Sequence, residues 1–262
     1  MDKTEGAAKN IMRIENEYRP FKETLDAASA AERPREIELK IVNLGDPQTL
    51  AERIADLGGG IVRDRRPLQD MDFTLNQGRT HTNQEFEIAL KDFPDPQRLR
   101  DALEFLGLEV VVENKDRLRI RSKKIIPRRK ARIRQDGKDI SWTIKERRVK
   151  GLGIDDRVEI EVPLTDPQPA LAILENTGYS LKSRAEKYRT TYQIGETLVE
   201  LNEGPKAPPW VEIEGKTAAD VFKTLQDLGY SQSDTAAISD AEYYRRHGVS
   251  DEELKDLKFE NP

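Results

Sequence analysis

The sequence predicts an α+β fold, an antiparallel β-barrel with a charged bore and helices packed outside. Three observations predict it. A strand–helix unit recurs four times, strand segments alternate charged with apolar residues, and tight turns join consecutive strands. Repeats of this kind are the first organising signal in a chain.

The four units are Glu36-Ile37-Glu38-Leu39-Lys40 before DPQTLAERIADLG, Glu85-Phe86-Glu87-Ile88 before DPQRLRDALEFLG, Glu159-Ile160-Glu161-Val162 before DPQPALAILENTG, and Glu212-Ile213-Glu214 before TAADVFKTLQDLG. Asp46, Asp95, Asp166 and Thr217 are helix-start residues, whose side chains accept from free backbone N–H groups. Pro47, Pro96 and Pro167 take the first helical position, where a missing N–H costs nothing. Gly58, Gly107, Gly178 and Gly229 each stand 12 residues after the start and suit the left-handed backbone that ends a helix.

In a strand, residues i and i+2 share a face. Ile37, Leu39 and Ile41 therefore share one face, and Glu36, Glu38 and Lys40 the other. The helices must bury their apolar stripes on the apolar face, so the charged face points away from them. Other segments follow the same rule. Ala131 and Ile133 alternate with Arg132 and Arg134. Ile140, Trp142 and Ile144 alternate with Ser141, Thr143 and Lys145, and further on Arg147. Tyr188 and Tyr192 alternate with Lys187, Arg189 and Thr191. Val199 and Leu201 alternate with Glu200 and Asn202, and Val211 and Ile213 with Glu212 and Glu214. The run at 66–75 adds another strand. Asp136-Gly137 and Gly195-Glu196 read as hairpin turns. A sheet of about eight strands tends to curl or close, which would turn the charged face into a tunnel lined by acids and bases. A lone strand of this kind is most often the solvated face of an antiparallel sheet. Several of them, segregated into ExE and RxR types, favour closure.

Composition bounds the rest. The 262 residues suit one large domain or two small ones. We place a barrel domain at 34–248, with an inserted strand–helix unit near 78–122. An N-terminal arm at 1–33 is helical or disordered, and a helical tail covers 249–262. No cysteine is present, which excludes thiolate metal sites, disulfides and cysteine nucleophiles. With His81 and His247 the only histidines, a multi-histidine metal site is excluded. The formal charge of −5 argues against a general nucleic-acid binder. No apolar run reaches the ~18 residues of a membrane span, so a cytoplasmic protein without a membrane partner is expected, as monomer or homodimer.

Taken in order, these residues resemble a known family. Glu36-Ile37-Glu38-Leu39-Lys40 resembles the ExExK signature of the CYTH superfamily, the triphosphate tunnel metalloenzymes. Arg132-Ile133-Arg134, the strand ending at Lys145, the VEIE at 158–161 and Glu186-Lys187-Tyr188-Arg189 follow in the family's order. LVELNEGPKAPPWVEIEG (198–215) and SDAEYYRRHGVS (239–250) are similar to segments of its class IV adenylyl cyclase branch. The resemblance covers roughly 35–250. It implies a barrel whose bore binds a triphosphate with Mg²⁺ or Mn²⁺, and an enzyme that hydrolyses a triphosphate (inorganic, nucleotide or thiamine) or forms cyclic AMP. Three departures stand out. Asn202 occupies a position that is usually acidic, the unit near 78–122 is extra, and 1–33 lies outside the match. The extra unit brings a second RxR pair, Arg119 and Arg121, beside Arg132 and Arg134. The sequence leaves open which pair lines the bore.

A triphosphate needs several cations, and the planar fork of arginine suits phosphate oxygens. Lys40, Arg132, Arg134, Lys145, Arg147, Lys187 and Arg189 are the expected substrate contacts. Mg²⁺ and Mn²⁺ prefer carboxylate oxygens. Glu36, Glu38, Glu212 and Glu214 are the expected ligands, with Glu159 and Glu161 as supporting carboxylates. Lys40 and Glu200 are the expected catalytic groups, Glu200 also compensating for Asn202. The alternatives are a non-catalytic polyphosphate binder and a structural ion-pair lattice. The latter alone would stabilise little, because desolvation offsets the attraction. The basic run at 123–134 lacks the interleaved aromatics of a strand-binding surface and reads as a loop before the RxR strand. Trp142 and Trp210 read as packing residues.

Overall fold

A computed structural model describes residues 35–75, 85–113, 116–122, 129–151 and 154–260. The arm expected at 1–33 lies outside the described residues. The strands are β1 (Arg35–Ile41), β2 (Gly60–Leu75), β3 (Glu85–Ala89), β4 (Leu108–Glu113), β5 (Arg117–Ser122), β6 (Arg129–Asp136), β7 (Asp139–Gly151), β8 (Ile154–Leu164), β9 (Tyr179–Ile194), β10 (Thr197–Glu203) and β11 (Trp210–Gly215). The helices are α1 (Pro47–Asp56), α2 (Pro96–Leu106), α3 (Gln168–Asn176), α4 (Ala218–Asp227) and α5 (Asp240–Arg246).

Eight strands close into a barrel in the order β1-β11-β10-β9-β2-β6-β7-β8. Closure is visible at β1, which pairs antiparallel with β11 on one side and β8 on the other. The remaining strands form a separate three-stranded sheet ordered β3-β5-β4. The inserted unit is therefore not part of the barrel. Both predicted hairpins are present, β6–β7 around Gly137 and β9–β10 around Gly195.

The helix signals hold with one adjustment. Asp46 accepts from the Gln48 N–H at 3.2 Å, Asp95 from Arg98 at 3.0 Å and Thr217 from Asp220 at 3.1 Å. In the third unit the helix starts one residue later, at Gln168, so Pro167 sits at the cap rather than inside. Asp166 still accepts from the Gln168 N–H, at 2.9 Å. The four predicted terminal glycines have φ between 74° and 84°. At the tail, Ser250 and Glu253 form a reciprocal cap, but it opens a short 3-10 turn at Glu253–Asp256 rather than the expected helix.

The chain divides into two compact units, one of 1–66, 147–158 and 188–249, the other of 67–146, 159–187 and 250–262. In the first, Ile37, Leu39 and Ile41 of β1 join Val199 and Leu201 of β10 and Val211 and Ile213 of β11. Leu50 and Ile54 of α1 and Val221, Phe222 and Leu225 of α4 pack with them in one core. This apolar face is the outside of the barrel, so the alternate residues face its interior. In the second unit, α2 packs on β4 and α3 on β3, with Leu99, Leu103, Phe105 and Leu106 of α2 buried. Trp142 and Trp210 are fully buried, in keeping with packing roles.

Candidate functional site

The first unit carries an acidic cluster, and strand register builds it. Glu38 of β1 lies opposite Glu214 of β11 and, on its other side, opposite Asp155 of β8. Glu200 of β10 lies opposite Glu212 of β11. Directly opposed like charges are unfavourable, so these strands assemble only with cations among them. Three side chains supply that charge. Arg157 donates to Glu38 at 2.8 Å and to Asp155 at 2.7 Å. Arg189 pairs with Glu212 at 3.0 Å and with Glu200. Lys40 pairs with Glu212 at 2.9 Å and with Asp240 at the start of α5. Its ammonium also lies 5.5 Å from the centre of the Trp210 ring, within range of a cation–π attraction. Burial alone would push the Lys40 ammonium down, but Asp240, Glu212 and Glu38 outweigh it and hold it above the usual lysine range.

Glu36, Glu38 and Glu214 come together with one carboxylate oxygen each, all within 4.8 Å of one another. Glu214 makes no ion pair of its own among the described residues. Burial, then the Glu200 and Glu36 carboxylates beside it, push its carboxyl well above the usual range. A divalent ion would relieve that repulsion, and the spacing fits. Oxygens on opposite sides of an ion with about 2.1 Å bonds lie about 4.2 Å apart. Three of the four expected ligands thus converge. The fourth, Glu212, is drawn instead to Lys40 and Arg189.

The second unit carries a basic cluster, again set by register. Asp70 of β2 faces Arg134 of β6, and Asp72 faces Arg132. Arg134 grips Asp70 with two hydrogen bonds, at 2.7 and 3.1 Å. Arg132 donates to Asp72 at 2.9 Å and lies 3.6 Å from Asp70. Lys187, itself buried, is 3.5 Å from Asp70. Burial would raise the Asp70 carboxyl, but Arg132, Arg134 and Lys187 hold it well below the usual carboxylate range. Lys145 pairs with Glu159 at 2.6 Å. Cations outnumber carboxylates in this set, the reverse of the first unit. A fixed carboxylate holding two guanidinium groups is a preorganised arrangement for phosphate oxygens.

The two RxR pairs fall on strands of different sheets. Arg132 and Arg134 lie on barrel strand β6, half-buried, whereas Arg119 and Arg121 lie on β5 of the separate sheet. Glu161 is exposed near the end of β8 and joins neither cluster. Arg147 lies on β7, with its side chain outside the described residues. The sequence reading missed Asp70, Asp155, Arg157 and Asp240. Asp70 and Asp72 alternate with Met71 and Phe73, the same signal used elsewhere, so they were legible. Asp155 and Arg157 continue the alternation of Glu159. Nothing in the sequence pointed from Asp240 to Lys40, because α5 reaches that side chain only through the fold.

Comparison with known proteins agrees with this architecture. The PH1012 protein of Pyrococcus horikoshii superposes with a TM-score of 0.53 at 18% identity, covering 79% of this chain and 98% of its own. A conserved hypothetical protein of Pyrococcus furiosus gives 0.52 at 14%, covering 79% and 99%. A candidate adenylate cyclase of Vibrio parahaemolyticus gives 0.52 at 14%, covering 82% and 99%. At such identities the likeness is one of fold. No curated protein matches the sequence. The CYTH domain family matches residues 113–238, a span that includes the RxR strand β6, Lys145, Arg189 and the paired glutamates of β11. That match over 113–238, together with the closed eight-stranded antiparallel barrel, marks the chain as similar to CYTH-domain proteins.

Proposed function

We propose that this protein is a divalent-metal-dependent triphosphate-processing enzyme of the CYTH type that hydrolyses a triphosphate by in-line attack of water. The observation that carries the reading is the convergence of Glu36, Glu38 and Glu214, with the charge of Glu214 left uncompensated by any ion pair among the described residues. Those three carboxylates would hold Mg²⁺ or Mn²⁺, which when bound neutralises charge on phosphate oxygens.

The chain's own groups do the rest. Arg132 and Arg134, held in place by Asp70 and Asp72, donate to phosphate oxygens, and Lys187 and Arg189 add positive charge. Phosphoryl transfer asks for positioning and charge neutralisation more than covalent chemistry. Lys40 supplies a fixed positive charge, since its neighbours hold it protonated. Glu200, paired with Arg189, is the carboxylate suited to orient the attacking water. The acidic cluster thus suits a cation, and the basic cluster, taken by itself, suits an anion.

Cyclisation of ATP is the second reading, favoured by the likeness of 198–215 and 239–250 to the class IV cyclase branch. The deciding experiment is a product assay with Mg²⁺ and Mn²⁺ on tripolyphosphate, ATP and thiamine triphosphate, with Glu214→Gln as control. Orthophosphate that disappears in the variant is the expected result. Cyclic AMP with pyrophosphate would move the protein to the cyclase reading. Binding without turnover would leave a triphosphate-binding module.

A further inference from the structure

Asn202 is a neutral amide, fully buried on β10 among the charges of the acidic cluster. Its oxygen and both of its N–H donors are engaged. Arg189 donates to its oxygen at 2.8 Å. Its NH₂ group donates to the Glu200 backbone carbonyl at 3.1 Å and to Glu212 Oε2 at 3.3 Å. The orientation of the amide is chemically forced, because a guanidinium has no acceptor and must face the oxygen. Glu212 Oε2 therefore receives the amide from one side and Arg189 from the other, at 3.0 Å. Its second oxygen meets Lys40 at 2.9 Å.

A carboxylate at position 202 could accept from Arg189 but could not donate to Glu212. It would place a second negative charge against Oε2 and compete for the same guanidinium. The neutral amide does the opposite, joining the carboxylate to its cation.

We infer that Asn202 is a positioning residue that commits Glu212 to Arg189 and Lys40 and so leaves the divalent cation to Glu36, Glu38 and Glu214. This rests on the triphosphate reading above. It also sets the division of labour in the cluster. Glu212 acts as counter-charge, holding the two cations in place, and does not act as a metal ligand.

The test titrates the full chain separately with Mn²⁺ alone and with tripolyphosphate in the absence of metal, following heat and bound ligand. Asn202→Asp adds one charge beside the acidic cluster and neutralises Arg189 further. It should tighten Mn²⁺ by at least about tenfold, the scale expected of one added unit charge near a divalent ion, and weaken tripolyphosphate. A structural role alone would weaken both together, and that result would overturn the inference, as would unchanged affinities. A second pair keeps the test independent of how Asn202→Asp folds. Glu214→Gln should weaken Mn²⁺ by more than about tenfold, whereas Glu212→Gln should weaken it much less and tighten tripolyphosphate by freeing Arg189 and Lys40. Equal loss of Mn²⁺ in both variants would also overturn the inference. If the unmodified chain binds neither probe, the functional reading itself fails and the inference falls with it.

Discussion

Glu85-Phe86-Glu87 facing Arg119-Ile120-Arg121, and Glu36-Ile37-Glu38 beside Asp155-Asp156-Arg157, are written in nearly the same letters and meet different fates. In the three-stranded sheet Glu87 pairs with Arg119 at 2.8 Å, with side chains 42% and 46% exposed. In the barrel Glu38 pairs with Arg157 at the same 2.8 Å, with side chains 8% and 15% exposed. The distances match and only the solvent differs. On the open sheet, water screens the attraction and the pair contributes little. In the closed barrel, attraction and desolvation both grow, and like charges brought together cannot be relieved by water. The solvated-face reading of alternating charge is therefore right for one sheet and wrong for the other. A charge pattern becomes a candidate site where the sheet closes over it.

The largest expected effect sets the two glutamates against each other. Glu38→Gln should reduce triphosphate turnover by at least about 100-fold, the upper figure for losing a group one contact further from a metal. Glu87→Gln should leave turnover unchanged. Equal losses in steady-state assays would show that closure is not what separates the two strands.

Next comes stability. Arg189→Ala leaves Glu200 and Glu212 buried without their guanidinium. Breaking a buried pair in this way costs about 3–5 kcal/mol, which denaturant unfolding would resolve. Arg119→Ala removes an exposed partner, and its unfolding midpoint should coincide with that of the unmodified protein. A midpoint for Arg189→Ala as close as that would refute the contrast.

The acid limb of stability sharpens the comparison further. Asp70 has its folded pKa held below its unfolded value near 3.8 by Arg132, Arg134 and Lys187, against the effect of burial. Its contribution is fully present above that unfolded value and is lost as pH falls through the lower folded one. Asp70→Asn should lower stability at neutral pH and make the fall below about pH 4 shallower. An unchanged slope in unfolding measured across that range would contradict the assignment.

The smallest expected effect is no coupling at all. A double-mutant cycle on Glu85 and Arg121, paired at 2.5 Å on the open sheet, should give an interaction indistinguishable from zero in physiological salt. A measurable coupling there would mean that the open sheet is not solvated as its exposure indicates.

Much of this was legible beforehand. The four helices follow from their caps and glycines, since those are local signals. Both hairpins follow from their turn residues. Glu36, Glu38 and Glu214 could be named because alternation assigns each residue to a face. What escaped is equally specific. Pairing Glu38 with both Glu214 and Asp155 depends on the registers of β11 and β8 against β1, and no local signal states a register between distant strands. The diversion of Glu212 to Arg189 and Lys40 depends on the buried amide of Asn202, which reads in the sequence only as a missing acid. Asp240 reaches Lys40 across 200 residues of chain.

By itself, the sequence determined which residues belong to helices, which to strands, and which side of each strand carries charge. Propensity, capping and a two-residue period act over a few residues and are encoded there. Only the tertiary structure decided which charged faces meet water and which do not, because closure is a property of the whole strand order. It also decided which carboxylates oppose one another and which cations are drawn to them. Charge acts through space at a strength set by burial, and burial is fixed only once the barrel has closed.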